Sequence, residues 1–405
     1  MHRHAAMLFA AWVSHPASAA DVVAPRPDPR PVTLVAGLAD GPLKRELAAC
    51  TDDPVRRTSF SLGHRGAPLH YPEHTRESYV AAAATGAGVI ECDVTFTRDK
   101  QLVCRHAQDD LHTTTDILLT PLAARCVQPF RPAQLDPQGA LVAPATAECR
   151  TSDITLAEFR TLRGKRDGFD ANARTVEEYV WGGKAAFDPL GPSTGTLLSH
   201  ADSIALFRQL GVQMVPELKQ PVVAMPYDGM SQQQFAQRLI DEYRTAGVPP
   251  SAVWPQSFNL PDILYWIERE PEFGRQAVYL EDAENVRQLP AAGEFKRLHA
   301  QGVRIWAPPL FALLALDDRG AMVPSQSARD ARAAGLELVT WSLERSGPLG
   351  AGRNGWYYQT VDTALRSDSD VLQVLDILAR QVHVRAVFSD WPATTTFYAN
   401  CTGLD

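Results

Sequence analysis

The 405-residue sequence has no concentration of positive charge: Lys and Arg number 39 against 47 Asp and Glu, the formal net charge is -8, and no long basic run occurs. Proteins that track nucleic-acid phosphates gather Lys and Arg on one face, so nucleic acid is excluded as a general partner, whereas a small anion held by a few local cations is not. After the first twenty residues there is no stretch of roughly 18 apolar residues, so no transmembrane segment is expected. A dinucleotide fingerprint is also missing, because Gly86-Ala87-Gly88 leads into a strand pattern rather than a helix. What remains, 45% hydrophobic and 21% charged, is the composition of a globular chain able to bury a large core.

The first twenty residues, MHRHAAMLFAAWVSHPASAA, combine a basic start, a short apolar run and a small-residue cleavage site near Ala17-Ser18-Ala19. This pattern reads as a signal peptide over residues 1–20 and predicts an exported protein, periplasmic or secreted. Residues 21–58, rich in proline and charge, read as a leader or linker with a short helix near Leu43 to Ala49. Six cysteines in an exported chain allow three disulfides. The expected bridges are Cys126–Cys149, around a Pro- and Gly-containing segment, and Cys50–Cys401, near the two ends.

From Phe60 onward, nine short apolar runs alternate with amphipathic segments: FSLGHRG, GVIECDVTFT, QLVCRH, VQMVPELK, AVWPQSF, QAVYLE, VRIWAPP, LELVTWSL and VRAVFSD. Repeated strand–helix alternation over this length predicts an α/β parallel barrel or doubly wound sheet. Nine strands exceed an eight-stranded barrel by one, and the surplus is explained by Arg98-Asp99-Lys100, which is too short for a parallel crossover. The second and third runs must form a hairpin arm that brings His106 back to the level of Asp93. The same register sets Cys104 opposite Val94 or Phe96, so a Cys92–Cys104 bond would require a bulge. Residues 107–195, Thr-, Pro- and Gly-rich around the helix signal DITLAEFRTL with Asp153 as a candidate N-cap, read as an insertion over the catalytic end of a barrel spanning 59–400.

Glu91 and Asp93 are two apart on a strand, so both carboxylates point to one face and Cys92 to the other. Two anions in a barrel interior are costly without a neutralising partner. Glu217, at the end of VQMVPELK, offers a third carboxylate, and three carboxylates without a thiolate suit Ca²⁺ or Mg²⁺ better than Zn²⁺. His64 and His106 end two strands at the same mouth, where one can remove a proton while the other supplies one. Arg65 offers a donor fork suited to phosphate, and Lys219, facing the same way as Glu217, adds a second positive charge. Glu73 is expected to support the first loop rather than to bind metal.

In order and spacing, GHRG-x5-PEHT, GVIECDV-x-FTRDKQLVCRH, VPELK, QSF, VTWSL and VFSDWP resemble the glycerophosphodiester phosphodiesterases, from about Phe60 to about Tyr398. The resemblance implies a (β/α)8 TIM barrel that hydrolyses glycerophosphodiesters to sn-glycerol 3-phosphate and an alcohol with a divalent metal. It further implies a metal site of Glu91, Asp93 and Glu217, an acid/base pair of His64 and His106, and phosphate contacts from Arg65 and Lys219. Trp341 and Phe258 are candidates for the pocket wall, with core packing as the other reading. Three departures stand out: His74 replaces the family's usual Asn, Ala107 replaces the Asp that usually follows the second histidine, and Lys100 replaces a turn glycine. Two other readings compete, a phospholipase D-like cleavage of lysophospholipids or sphingomyelin and a barrel that only binds. The sequence sets no oligomeric state.

Overall fold

A computed structural model describes residues 23–183, 190–350 and 354–404; the expected signal peptide lies outside the described residues. All nine apolar runs form strands: β1 (Thr58–Gly63), β2 (Ala87–Phe96), β3 (Leu102–Cys104), β4 (Gln213–Leu218), β5 (Gln256–Ser257), β6 (Val278–Leu280), β7 (Ile305–Ala307), β8 (Glu337–Leu343) and β9 (Ala386–Ser389). Eight are parallel and close into a barrel, because β1 pairs with both β2 and β9; β3 pairs antiparallel with β2 alone. The architecture is the expected (β/α)8 barrel with a hairpin arm.

The amphipathic segments between strands form the outer helices. His200–Leu210 and Gln232–Thr245 each begin with a capping box, from Ser199 with Asp202 and from Ser231 with Gln234, and the first ends on Gly211 in the left-handed region. Inside the barrel, Leu62, Val89, Val215, Val278, Ile305, Val339 and Phe388 form an apolar plug. Along β2 the inward face changes from Val89 to Glu91 and Asp93, so the plug gives way to charge at the carboxyl ends of the strands, where barrel sites form.

In the hairpin, Val94 faces Cys104 and Phe96 faces Leu102, within the expected register. Lys100 takes the left-handed turn position at φ 60° that glycine would otherwise fill, and its ammonium is held by the Asp228 carboxylate at 2.8 Å. The expectation that Cys92 and Cys104 need a bulge to bond is overturned: they form a disulfide without one. Both side chains leave the same face of the hairpin, and the three-residue β3 ends at Cys104, leaving the Cα atoms of this diagonal pair 5.3 Å apart. The Cys50–Cys401 and Cys126–Cys149 bridges form as expected.

Ahead of β1, helices Pro29–Gly37 and Pro42–Ala48 bury Leu34, Val35 and Leu47 in the barrel's outer core. Residues 107–183 and the chain from 190 to β4 include three short antiparallel pairings and a second apolar cluster around Leu111, Ile117, Phe159, Leu162 and Tyr179. Asp153 does not cap the helix signalled there. It lies in a 3₁₀ turn, and the helix is only Leu156–Phe159, capped by Thr155 in a capping box with Glu158. The Thr-x-x-Glu pattern satisfies two backbone donors where Asp153 would satisfy one.

The Cys50–Cys401 bridge spans 351 residues and ties the second N-terminal helix to the last. Replacing both cysteines by Ser is expected to cost about 2–5 kcal/mol of stability, read as a lower melting temperature, with turnover per folded molecule unchanged.

Candidate active site

Barrel register brings the site together. Gly63 pairs with Ile90 on one side and with Ser389 on the other, so His64, Glu91 and Asp390 emerge at one level from β1, β2 and β9. Asp93 pairs with Glu217, and Glu217 with Gln256, extending that level across β4 and β5. The carboxylates of Glu91, Asp93 and Glu217 are buried and offer oxygens that all lie within 4.8 Å of one another.

These three groups fit a divalent cation. Burial, Asp93 and Glu217 push the Glu91 carboxyl well above its usual range, and burial also raises Glu217, to about 7. Asp93 is held well below its usual value despite burial, because Lys219 and His74 stand beside it. Its Oδ1 is buried without a hydrogen-bond partner, an acceptor left open to a bound cation. Hard oxygens at this spacing are the donor set of Ca²⁺ or Mg²⁺. Lys219 Nζ, 2.6 Å from Glu217 Oε1, supplies the one full positive charge in direct contact with that carboxylate among the described residues.

Behind the cluster, His74 Nε2 is 2.9 Å from Asp93 Oδ2 and Nδ1 is 2.9 Å from the Tyr79 hydroxyl. Burial lowers the His74 pKa to about 4, so the neutral ring donates to Asp93 and accepts from Tyr79. An asparagine side chain also combines one donor with one acceptor. The residue holds φ 54°, in the left-handed region that Asn and His tolerate better than most.

His64 Nδ1 lies 2.5 Å from Asp390 Oδ1, and the Ser342 hydroxyl is 2.9 Å from the same nitrogen and 3.1 Å from the same oxygen. Although burial opposes it, the adjoining His64 ring, which donates a hydrogen bond, and the charge of Arg345 keep Asp390 below the usual carboxylate range. An ionised Asp390 fixes the proton on Nδ1 and leaves Nε2, 3.9 Å from Glu91 Oε2, with a free lone pair. His106 follows Arg105, whose backbone N–H donates to the Asp93 carbonyl at 2.8 Å, so the arm delivers it beside Asp93. Burial, Arg65 and Lys219 depress its pKa well below the ordinary value. In place of the missing Asp after His106, the buried Asp110 accepts the Ala107 N–H at 2.9 Å and fixes the turn.

Arg65 donates its backbone N–H to Glu91 Oε2 at 2.8 Å and its Nη1 to Glu73 Oε2 at 2.9 Å. Glu73 thus supports the first loop. A cavity of about 240 Å³ opens over this floor, lined by the polar side chains of His64, Arg65, His106 and Lys219 and by Phe258, Leu280, Trp341 and Tyr357. Trp341 and Phe258 are half-buried cavity walls in edge-to-face contact at 5.8 Å, whereas Trp306 is core. Reading the sequence alone missed Asp390, Ser342, Arg345, Gln256 and Tyr357. FSDWP and QSF carried signals for two of them, in a polar residue closing an apolar strand.

The profile of the glycerophosphoryl diester phosphodiesterase family matches residues 64–394. An extracellular protein of Arthroderma benhamiae is 43% identical over 246 residues, covering 59% of this chain and 100% of that one. A glycerophosphodiester phosphodiesterase of Arabidopsis thaliana is 31% identical over 137 residues, 33% of this chain and 34% of that protein. A solved structure from Silicibacter pomeroyi, assigned to the glycerophosphoryl diester phosphodiesterases, shares the fold at a TM-score of 0.56 and 18% identity, over 87% of this chain and 95% of that one. With a match that starts at His64 and runs past Asp390, the chain belongs to the glycerophosphoryl diester phosphodiesterase family.

Proposed function

We propose that the protein hydrolyses glycerophosphodiesters to sn-glycerol 3-phosphate and an alcohol, using His64 and His106 for proton transfer and Glu91, Asp93 and Glu217 to hold Ca²⁺ or Mg²⁺. The observation that carries this reading is a histidine with one nitrogen locked by an ionised carboxylate and the other free, beside three buried carboxylates close enough to share one cation. When bound, the cation would neutralise that cluster and polarise a phosphate oxygen. His64 Nε2 then accepts the proton of the attacking hydroxyl, either water or the glycerol 2-hydroxyl, the latter giving a cyclic phosphate that water opens to sn-glycerol 3-phosphate with the two histidines exchanging roles. His106, which also lines the cavity, protonates the departing alcohol oxygen; it is neutral in the free site, and the negative charge of a bound phosphodiester raises its proton affinity. Arg65 and Lys219 place positive charge around the phosphate, while Trp341 and Phe258 cover the glycerol carbons. Three disulfides and the likeness to an extracellular protein support export. No helix among the described residues is long and apolar enough to cross a membrane.

One observation favours a second reading, phospholipase D-like cleavage of lysophospholipids or sphingomyelin. The segment between Cys126 and Cys149 exposes Val127, Leu135, Leu141 and Val142, at 47, 39, 44 and 66%. Exposed apolar side chains of this kind suit a substrate presented in a micelle or bilayer. Glycerophosphocholine and micellar lysophosphatidylcholine, offered separately with Ca²⁺ or Mg²⁺, discriminate the two. Release of sn-glycerol 3-phosphate from the first is the expected result; cleavage of the lysolipid alone would replace the main reading with the second.

A further inference from the structure

Arg345, two residues beyond β8, meets carboxylates from three separate parts of the molecule. Its Nη2 lies 3.6 Å from Glu73 in the loop after β1 and 3.9 Å from Asp167 in the insertion, and its Nη1 lies 3.5 Å from Asp390 after β9. Two of those carboxylates already orient other groups: Glu73 holds the Arg65 guanidinium, and Asp390 holds His64 Nδ1. We propose that Arg345 is a positioning residue that ties the seat of the insertion to the alignment of His64 and Arg65, an inference that rests on the phosphodiesterase reading above.

The charge pattern gives the reason. Glu73 and Asp390 are 2% and 3% exposed, and each carries one short contact to a working cation or ring. Taking away a shared counter-charge leaves one buried anion to Arg65 and the other to His64 and the neutral Ser342 hydroxyl, and Arg65 and His64 would be drawn toward their carboxylates and away from the cavity. A guanidinium fork reaches two acceptors in fixed geometry, which a lysine ammonium cannot do from the same backbone position.

Asp167 is the third point of attachment, and it is itself fixed. The buried Lys165 donates from Nζ to the carbonyls of Thr113, Arg166 and Gly168 at 2.5, 2.9 and 2.6 Å, so the loop that carries Asp167 is fastened to the body of the insertion. A shift of the insertion therefore moves Asp167, and through Arg345 it alters the balance between Glu73 and Asp390.

The test compares the full chain with Arg345→Ala, Arg345→Lys, Asp167→Asn and the double variant Arg345→Ala/Asp167→Asn. Steady-state turnover of glycerophosphocholine is measured beside amide hydrogen exchange over residues 163–168. Arg345→Ala is expected to lower kcat about 10- to 100-fold, as loss of a group that orients its neighbours from behind typically does, with KM little changed. Arg345→Lys should recover only part of the loss, and millimolar guanidinium ion should restore activity to Arg345→Ala. Asp167→Asn should lower kcat by a smaller factor, add little in the double variant, and speed exchange over 163–168 as Arg345→Ala does. Unchanged kcat in Arg345→Ala, or a loss in that variant with exchange unchanged and Asp167→Asn fully additive, overturns the coupling. A wild-type chain that cleaves no phosphodiester defeats the functional reading instead, and unchanged exchange in both single variants would then still overturn the link.

Discussion

Replacing Asp390 by Asn is expected to lower turnover by about 10³- to 10⁴-fold with the fold intact, a larger loss than its distance from the substrate cavity would suggest. As a carboxylate, Asp390 can only accept, so His64 must keep its proton on Nδ1 and present a bare Nε2. An amide in the same place can turn its NH₂ toward Nδ1, which forces the proton onto Nε2 and points a donor at the hydroxyl to be deprotonated. The same change removes the charge that would stabilise the imidazolium once the proton has moved. Ser342, 2.9 Å from Nδ1, offers a hydroxyl that can donate or accept and so cannot enforce the tautomer alone. His64→Ala removes the base itself and should cost at least about 10²-fold. Initial rates on glycerophosphocholine, with circular dichroism melts as the folding control, check both variants. Near-wild-type rates in Asp390→Asn would falsify the assignment of His64 as the base.

Why Asp390 was invisible in the sequence while Glu91 and Asp93 were not follows from the kind of information each requires. Period-two alternation within β2 is enough to put Glu91 and Asp93 on one face, and a three-residue turn is enough to bring His106 back to them. Pairing His64 with Asp390 depends on how a closed barrel aligns its first strand with its last, 326 residues away. That register appears only when Gly63 is seen opposite Ser389. Arg345 and Gln256 stayed hidden for the same reason, since each meets partners on other strands or in the insertion. The Cys92–Cys104 bond shows the opposite failure: an ideal flat ladder argued it away, and the diagonal closeness of a short strand's last residue allowed it. For His74 the sequence allows an imidazole that does the work of an amide through one ring nitrogen or one that tunes the pH response, and the structure engages both ring nitrogens.

Removal of divalent metal is expected to abolish turnover and to leave a protein whose stability falls as pH rises. Burial first, and Asp93 next, raise the Glu217 carboxyl from an ordinary 4.5 to about 7 against the pull of Lys219. Such a group holds its proton more tightly folded than unfolded, so its contribution is full below about 4.5 and is lost as pH rises through about 7, a change on the order of 3 kcal/mol. Glu91, raised in the same direction, adds to the loss, whereas Asp93, held down by Lys219 and His74, has its effect at more acid pH. Asp110 and Glu344, each near 7, titrate in the same window and would slope the curve by themselves. Both act whether or not the cluster is filled, so they cancel in the difference between melting temperatures with and without metal. That difference should be small at pH 5 and grow toward pH 8, because protons and cation compete for the same oxygens. Differential scanning fluorimetry in EDTA, Ca²⁺ and Mg²⁺ across this range measures it, and the ion giving the larger rise should also support the faster turnover. A difference that stays flat with pH, or no rise with either ion, would mean that Glu91, Asp93 and Glu217 are neutralised by their own neighbours, and the burden of charge at the phosphate would pass to Arg65 and Lys219.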